Sequence, residues 1–400
     1  MRNLVLQELN KVYKEENPSI FVRDLNNKKK IQKLINNRKK FLLNLKLPPN
    51  FFNQVELLDL GCGSGQNSIV FDNLNAHCTL VEYDKKSIEN AKNIFKKYGK
   101  NKYKFFNKDL FKFKIKKKFD VVVTNGVAHH TFSPIKNIDI ACKFLKKGGF
   151  LIIGICTKEG WFQRNLQRAI LFNISNSKEE IVVNAKKLFN EHLMRSKRYG
   201  MRNDRETIFD TYINPKVNCV TIEDIEKIFL KNKITMYSSL NYEKELYKYL
   251  NPSYAQFSHQ KLDNQREKKG FNIARIHEFS LGRNIRKKEK FEKYFKNLFN
   301  RLNKVTDQFN DLNFKKKINL SDKNLNNLKK IFKKNEKISL FDQNYNVNFV
   351  KEIIDVLKIL RLATDNLTKT KYLKDYLGKN KNIFKKFNGV GMNYFVGYKS

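Results

Sequence analysis

Apolar residues in this chain fall into short continuous runs separated by stretches at helical spacing. Val55, Leu57, Leu58 and Leu60 form one run that ends in Gly61-Cys62-Gly63-Ser64-Gly65, the pattern of a buried strand feeding a glycine turn. Four more runs follow at 78–82, 103–107, 119–125 and 150–155, and residues 86–98 and 134–145 carry helical patterns between them. Strand and helix alternating in this way predict a parallel sheet with helices on both faces. Val121-Val122-Val123 has no polar alternation, as expected of a strand buried on both sides.

Residues 1–50 read as a helical lead-in. Ile31, Leu34, Ile35, Phe41, Leu42 and Leu45 recur at near-helical spacing over 29–47, and Pro48-Pro49-Asn50 stops the helix. Beyond Cys156 the patterns at 161–171 and 178–197 are helical, residues 210–215 are expected to form a loop, and Thr221-Ile222-Glu223-Asp224 starts another helix. Residues 234–240 and 392–398 read as two further strands. Helical patterns dominate between them, at Phe291 to Leu312 and Ile353 to Leu360. The last strand is expected to return to the sheet beside 234–240. The division expected is therefore a helical segment over 1–50, a core domain over 51–241 plus 388–400, and an inserted helical cap over 242–387.

Charge alters this picture less than its size suggests. The chain has 81 lysines and arginines against 39 acidic residues, a net charge of +42, which would attract nucleic acid or another polyanion. Only 15 of those cations are arginine, the residue that grips phosphate through two parallel hydrogen bonds. Lys, Asn, Ile and Phe are also what AT-rich codons supply, so a lysine-coated solvated surface and a polyanion partner both stay open. The longest apolar run, Phe150 to Cys156, is seven residues, against the roughly 18 that a membrane-spanning helix needs. No secretory pattern opens the chain, and five cysteines without a C-x-x-C pair suggest neither disulfides nor zinc. A soluble, cytoplasmic protein is expected, and no motif speaks to its oligomeric state.

The glycine turn is the most informative segment. Glycines at alternate positions let the backbone turn sharply and approach a ligand that a Cβ would obstruct, while the following helix aims free N–H groups at it. A dinucleotide fingerprint places its third glycine three residues after the second. Here Gly65 follows Gly63 by two, which disfavours NAD. Glu82 ends the second run, where a carboxylate can accept both hydrogen bonds of a ribose diol.

V-x-L-L-D-L-G-C-G-S-G at 55–65, then V-E-Y-D, K-D-L, F-D-V-V-V-T-N-G-V-A-H-H-T and L-K-K-G-G-F-L-I-I, in that order, resemble the motifs of class I S-adenosylmethionine-dependent methyltransferases over about residues 50–156. The resemblance implies an α/β, Rossmann-like seven-stranded sheet whose last strand is antiparallel. It implies S-adenosylmethionine as methyl donor, with no metal required. Gly61, Gly63 and Gly65 would pass under its methionine and ribose moieties, with Asp59 ordering the loop. Glu82 would hold the ribose hydroxyls and Tyr83 pack on the adenine, with Asp109 and Leu110 reading the adenine edge. Asn125 and Gly126 would face the methionyl part.

His129 and His130 stand in the loop after the fourth run, at the carboxyl end where ligands bind, and are the candidate bases for an acceptor proton. A shaping role is the alternative. Arg164, Arg168, Arg195, Arg198, Arg202 and Arg205 cluster after the fifth run. They suggest an anionic acceptor, or else solvated helix faces paired to Glu179, Glu180, Glu191 and Asp204. Trp161 and Tyr212 are aromatics that could line the acceptor pocket or belong to the core. The favoured function is methyl transfer to a small molecule. An RNA methyltransferase is the alternative that the charge supports, though no RNA-binding module is recognisable. A non-catalytic interaction module is a third.

Overall fold

The computed structural model describes residues 2–100, 102–194, 202–240, 346–362, 365–379 and 392–400, with the single positions 300, 326, 330 and 384. Seven strands form one sheet: β1 (Glu56–Leu60), β2 (His77–Glu82), β3 (Tyr103–Asn107), β4 (Phe119–Asn125), β5 (Leu145–Ile155), β6 (Ile234–Leu240) and β7 (Asn393–Lys399). They run in the order β3-β2-β1-β4-β5-β7-β6. The first five are parallel, and β7 lies antiparallel between β5 and β6. The expected return of the last strand beside residues 234–240 is what the sheet shows.

Because side chains alternate along a strand, the apolar runs feed two cores. Leu57, Val121, Val123, Ile152 and Val396 pack on one face with α2 (Lys28–Asn44), α3 (Ile69–Asn73) and α4 (Lys85–Tyr98). Leu58, Leu60, Val122, Leu151, Ile153 and Phe395 pack on the other with α5 (Pro134–Phe144) and α9 (Ile222–Lys231). A third core joins α6 (Lys158–Ile174), α7 (Lys178–Leu188) and α8 (Asp204–Ile208) to α10 (Asn346–Leu362) and α11 (Asn366–Lys379). The N-terminal helix α1 (Arg2–Glu15) adds Val12 to that third core.

Three local expectations change. The helix expected over 178–197 is interrupted at Phe189, which leaves helical geometry at φ −126° and ψ 28°, and helix resumes over residues 190–194. The expected loop at 210–215 is instead a π-helical turn, Phe209–Ile213, continuing α8. Its wider spacing keeps Phe209, Tyr212 and Ile213 all buried. The fifth strand begins at Leu145 rather than 150, because Leu145 pairs with Phe119 before a register shift. Arg195, Arg198 and the helical pattern at 291–312, apart from residue 300, lie outside the described residues.

Candidate functional site

The turn after β1 places Gly61, Gly63 and Gly65 at φ +85°, +55° and +72°, the left-handed region that favours glycine. A Cβ at Gly61 would strike Val127, and one at Gly63 would lie 2.8 Å from Ser19 Cβ. Asp59 is buried beneath the turn and accepts a hydrogen bond from Ser68 Oγ at 2.5 Å. Burial pushes its carboxyl up to about 7, opposed by the Ser68 bond and helped by the charge of Glu82.

Glu82 closes the side of the turn. Its Oε2 accepts from the Gly63 N–H at 2.9 Å, and its Oε1 from the N–H groups of Tyr83 at 2.8 Å and Asp84 at 2.9 Å. Burial nevertheless holds this carboxyl above its ordinary range. Tyr83 is exposed, the residue as a whole 43% accessible. Asn107 Nδ2 donates to the carbonyls of Glu82 and Tyr83, tying the ends of β2 and β3 together. Asp109 accepts from the Phe111 N–H at 2.9 Å and caps that turn, while Leu110 packs partly buried against the second core. Asn125 ends β4, and Gly126, at φ +77°, donates its N–H to the Gly154 carbonyl at 2.9 Å. Glycines whose Cβ positions are already crowded, a carboxylate at the end of β2 and a turn capped by Asp109 meet at the carboxyl ends of the strands, a set of groups that suits S-adenosylmethionine.

The histidines follow in a 3₁₀ turn, Ala128–His130. Both are buried, with ring centroids 4.1 Å apart. Burial, with the neighbouring His130 charge, pushes His129 well down, and its Nδ1 has no hydrogen-bond partner. His130 is also lowered, chiefly by burial, while Asp210 pulls the other way. His130 Nδ1 lies 2.8 Å from the Lys216 carbonyl, which assigns the proton to Nδ1 and leaves Nε2 as the acceptor, 3.8 Å from Asp210 Oδ1.

Sequence reasoning misses the strap that covers this turn. After α1, residues 17–22 lie across it: Asn17 Nδ2 donates to Ser87 Oγ at 2.8 Å, and Ser64 donates from its N–H to Ser19 Oγ at 2.9 Å and from its Oγ to the Ser19 carbonyl at 2.6 Å. Gln66 accepts from the N–H groups of Phe21 and Val22 and donates to the Val22 carbonyl, each at 2.8 Å. The break at Asn17-Pro18-Ser19 is the one sequence signal that could have marked it. Tyr13 is also brought in. Burial raises its hydroxyl, and the charges of Asp210 and Glu82 raise it further.

The arginines divide. Arg164 and Arg168 are buried in α6, Arg168 donating to the Asn214 carbonyl, so neither lies on a solvated face. Arg205 pairs with Glu15 and Glu16 of the N-terminal segment, and Arg202 Nη1 donates to Asp210 at 2.7 Å. Trp161 joins a small cluster with Cys156, Val217 and Cys219, 4.9 Å from the Arg164 guanidinium. Tyr212 is core, with its hydroxyl donating to Gln167 Oε1 at 2.8 Å and lying 2.7 Å from His192 Nδ1. Among the described residues no cluster of metal ligands occurs and no helix is long and apolar enough to cross a membrane.

Sheet order, glycine turn and strand-end carboxylate define a methyltransferase of the S-adenosylmethionine-dependent class. A family model described as a methyltransferase domain matches residues 52–377, and the chain belongs to that family. A curated relative, the ubiquinone biosynthesis O-methyltransferase of Pelagibacter ubique, is 35% identical over 104 residues, 26% of this chain and 43% of that protein. The chain thus matches less than half the length of that relative. Among solved structures, PKMT2 from Rickettsia typhi in complex with AdoHcy is 16% identical at TM-score 0.43, covering 65% of this chain and 51% of that one. The magnesium protoporphyrin IX methyltransferase of Synechocystis PCC 6803 with bound SAH is 15% identical at TM-score 0.33, covering 60% and 88%.

Proposed function

We propose that this methyltransferase acts on a small molecule bearing a hydroxyl group. The observation that carries the reading is the covering of the turn: the strap at 17–22 lies over the glycines, Arg202 stacks on Phe21 of that strap, and Asp210 stands between Arg202 and His130. Such a site suits a compact acceptor better than a polymer. The O-methylation in the curated relative's name supports oxygen as the acceptor atom.

When bound, S-adenosylmethionine supplies an electrophilic methyl group on a sulfonium. Gly61, Gly63 and Gly65 would let the backbone approach it, Glu82 would offer its carboxylate to the ribose diol, and Asp59 holds the turn through Ser68. Tyr83 would cover the adenine, Asp109 and Leu110 would border it, and Asn125 and Gly126 would face the methionyl end. His130 Nε2 is positioned to take the acceptor's proton, which is then held against Asp210, while His129 shapes the pocket wall.

Calorimetric titration of the protein and of Gly63→Arg with S-adenosylmethionine, followed by a hydroxyl-acceptor screen, tests this. Micromolar binding lost in the variant, with methyl transfer to a small hydroxylated compound, is the expected result. The net charge of +42 favours a second reading, RNA methylation. Methylation of RNA at near-physiological salt, with no small acceptor modified, would establish that reading instead.

A further inference from the structure

We infer that the acceptor carries an anionic oxygen group, a carboxylate or a phosphate, seated on Arg38 with Arg202 beside the ring of Phe21. The inference rests on the small-molecule reading and deepens it.

Arg38 stands on α2, half-buried, with its guanidinium carbon 5.1 Å from the Phe21 ring centroid. It makes no hydrogen bond or ion pair with any described residue. The guanidinium of Arg202 lies 5.0 Å from the same ring. Arg202 spends Nη1 on Asp210, and its Nε is buried with no hydrogen-bond partner. Two guanidiniums therefore lie about one ring, and Asp210 is paired with Arg202. Burial lowers the Arg38 guanidinium, and the Arg202 charge adds to that. Taking a cation out of water without an anion is costly, so the arrangement is one that a bound anion completes. The guanidinium fork matches the two oxygens of a carboxylate or phosphate.

The seat lies where an acceptor must sit. The Tyr394 ring of β7 packs on Phe41, one turn along α2 from Arg38, and the charges of Arg38 and Arg202 both act on its hydroxyl. The Tyr394 ring and the Asn125 amide both crowd Gly154, with which Tyr394 and Asn125 each pair across the sheet. Arg38 thus stands, through Phe41 and Tyr394, beside the carboxyl ends of β4 and β5, where Asn125 and Gly126 would meet the methionyl part of the donor. Phe41 packs edge-on to Tyr394 at 4.5 Å, so rings of Phe21, Phe41 and Tyr394 surround the anion seat with apolar surface. An acceptor with a flat apolar body and an anionic end fits these walls.

The test is calorimetry on the full chain saturated with S-adenosylhomocysteine, using benzoate, phenyl phosphate and neutral benzyl alcohol as probes. At least one anion should bind about tenfold more tightly than benzyl alcohol, and which one separates carboxylate from phosphate. Arg38→Gln should abolish that preference and Arg38→Lys keep part of it, with S-adenosylhomocysteine affinity unchanged in both. Equal affinity for all three probes would overturn the anion seat. So would loss of S-adenosylhomocysteine affinity in either variant at unchanged melting temperature, since Arg38 would then belong to the amino-acid carboxylate of the donor. If Arg38→Gln does not fold, Arg38→Lys alone decides, through the anion preference. A wild-type protein that fails to bind S-adenosylhomocysteine would sink the methyltransferase site itself, which is a different failure.

Discussion

Glu82 serves two roles through one carboxylate. Its carboxylate fixes three backbone N–H groups around the turn and presents itself to the proposed ribose site. Glu82→Ala removes both, and should weaken S-adenosylmethionine binding by about 1.5–3 kcal/mol, on the order of 10- to 150-fold by calorimetry. Asp59 makes a prediction of opposite character. Its folded pKa, about 7, lies above the ordinary 3.8. Folding therefore takes up a proton between those values, and the Asp59 contribution to stability is fully present below about pH 4 and lost as pH rises through 7. Urea midpoints of wild type and Asp59→Asn measured from pH 4 to 8 should diverge, with the variant lacking this decline. Parallel curves would mean that Asp59 is already ionised when the chain folds.

At the scale of elements, the strap is held by one side chain more than by any other. Gln66→Ala leaves the buried N–H groups of Phe21 and Val22 without their acceptor, at a cost of about 1–3 kcal/mol. Hydrogen exchange at residues 17–22 should accelerate in this variant while the sheet stays protected. Strands, glycine turn and strand-end carboxylate were legible because their signals are local: a run of apolar residues, alternate glycines, one acid at a fixed offset. The strap, Tyr13, Arg38 and Tyr394 were not. They reach the site from α1, α2 and β7, and only the folding of the sheet brings them together. The sequence pattern predicts a loop over 210–215 where residues 209–213 form a π-helical turn for a related reason, since that helical path is imposed by burial of Phe209 and Tyr212 rather than by its own sequence. Arg38 carries no local signal of its own, because its helix has the pattern of any amphipathic lead-in.

For the whole molecule, the third core matters most. Ile353, Leu357, Leu360 and Leu373, from the region proposed as an inserted cap, are buried in the same cluster as Leu166, Ile170 and Tyr212 of the segment after β5. Shared burial couples the two in stability. Leu357→Ala should cost roughly 2–5 kcal/mol and shift the entire thermal transition. A separate low-temperature step in calorimetry, with the sheet melting at its usual temperature, would show that the cap folds alone.

The antiparallel strand β7 has a kinetic meaning. It supplies the inner seam between β5 and β6, yet more than 150 positions separate it from β6 in the sequence. Until that distant segment docks, β5 and β6 each present an open row of backbone donors and acceptors, the kind of edge on which chains pair wrongly with one another. Pairings this remote also form slowly, since loop closure precedes any gain from contact. The late arrival of β7 makes the interval before it docks the time when a nascent chain is most exposed to aggregation, and hence most dependent on chaperones.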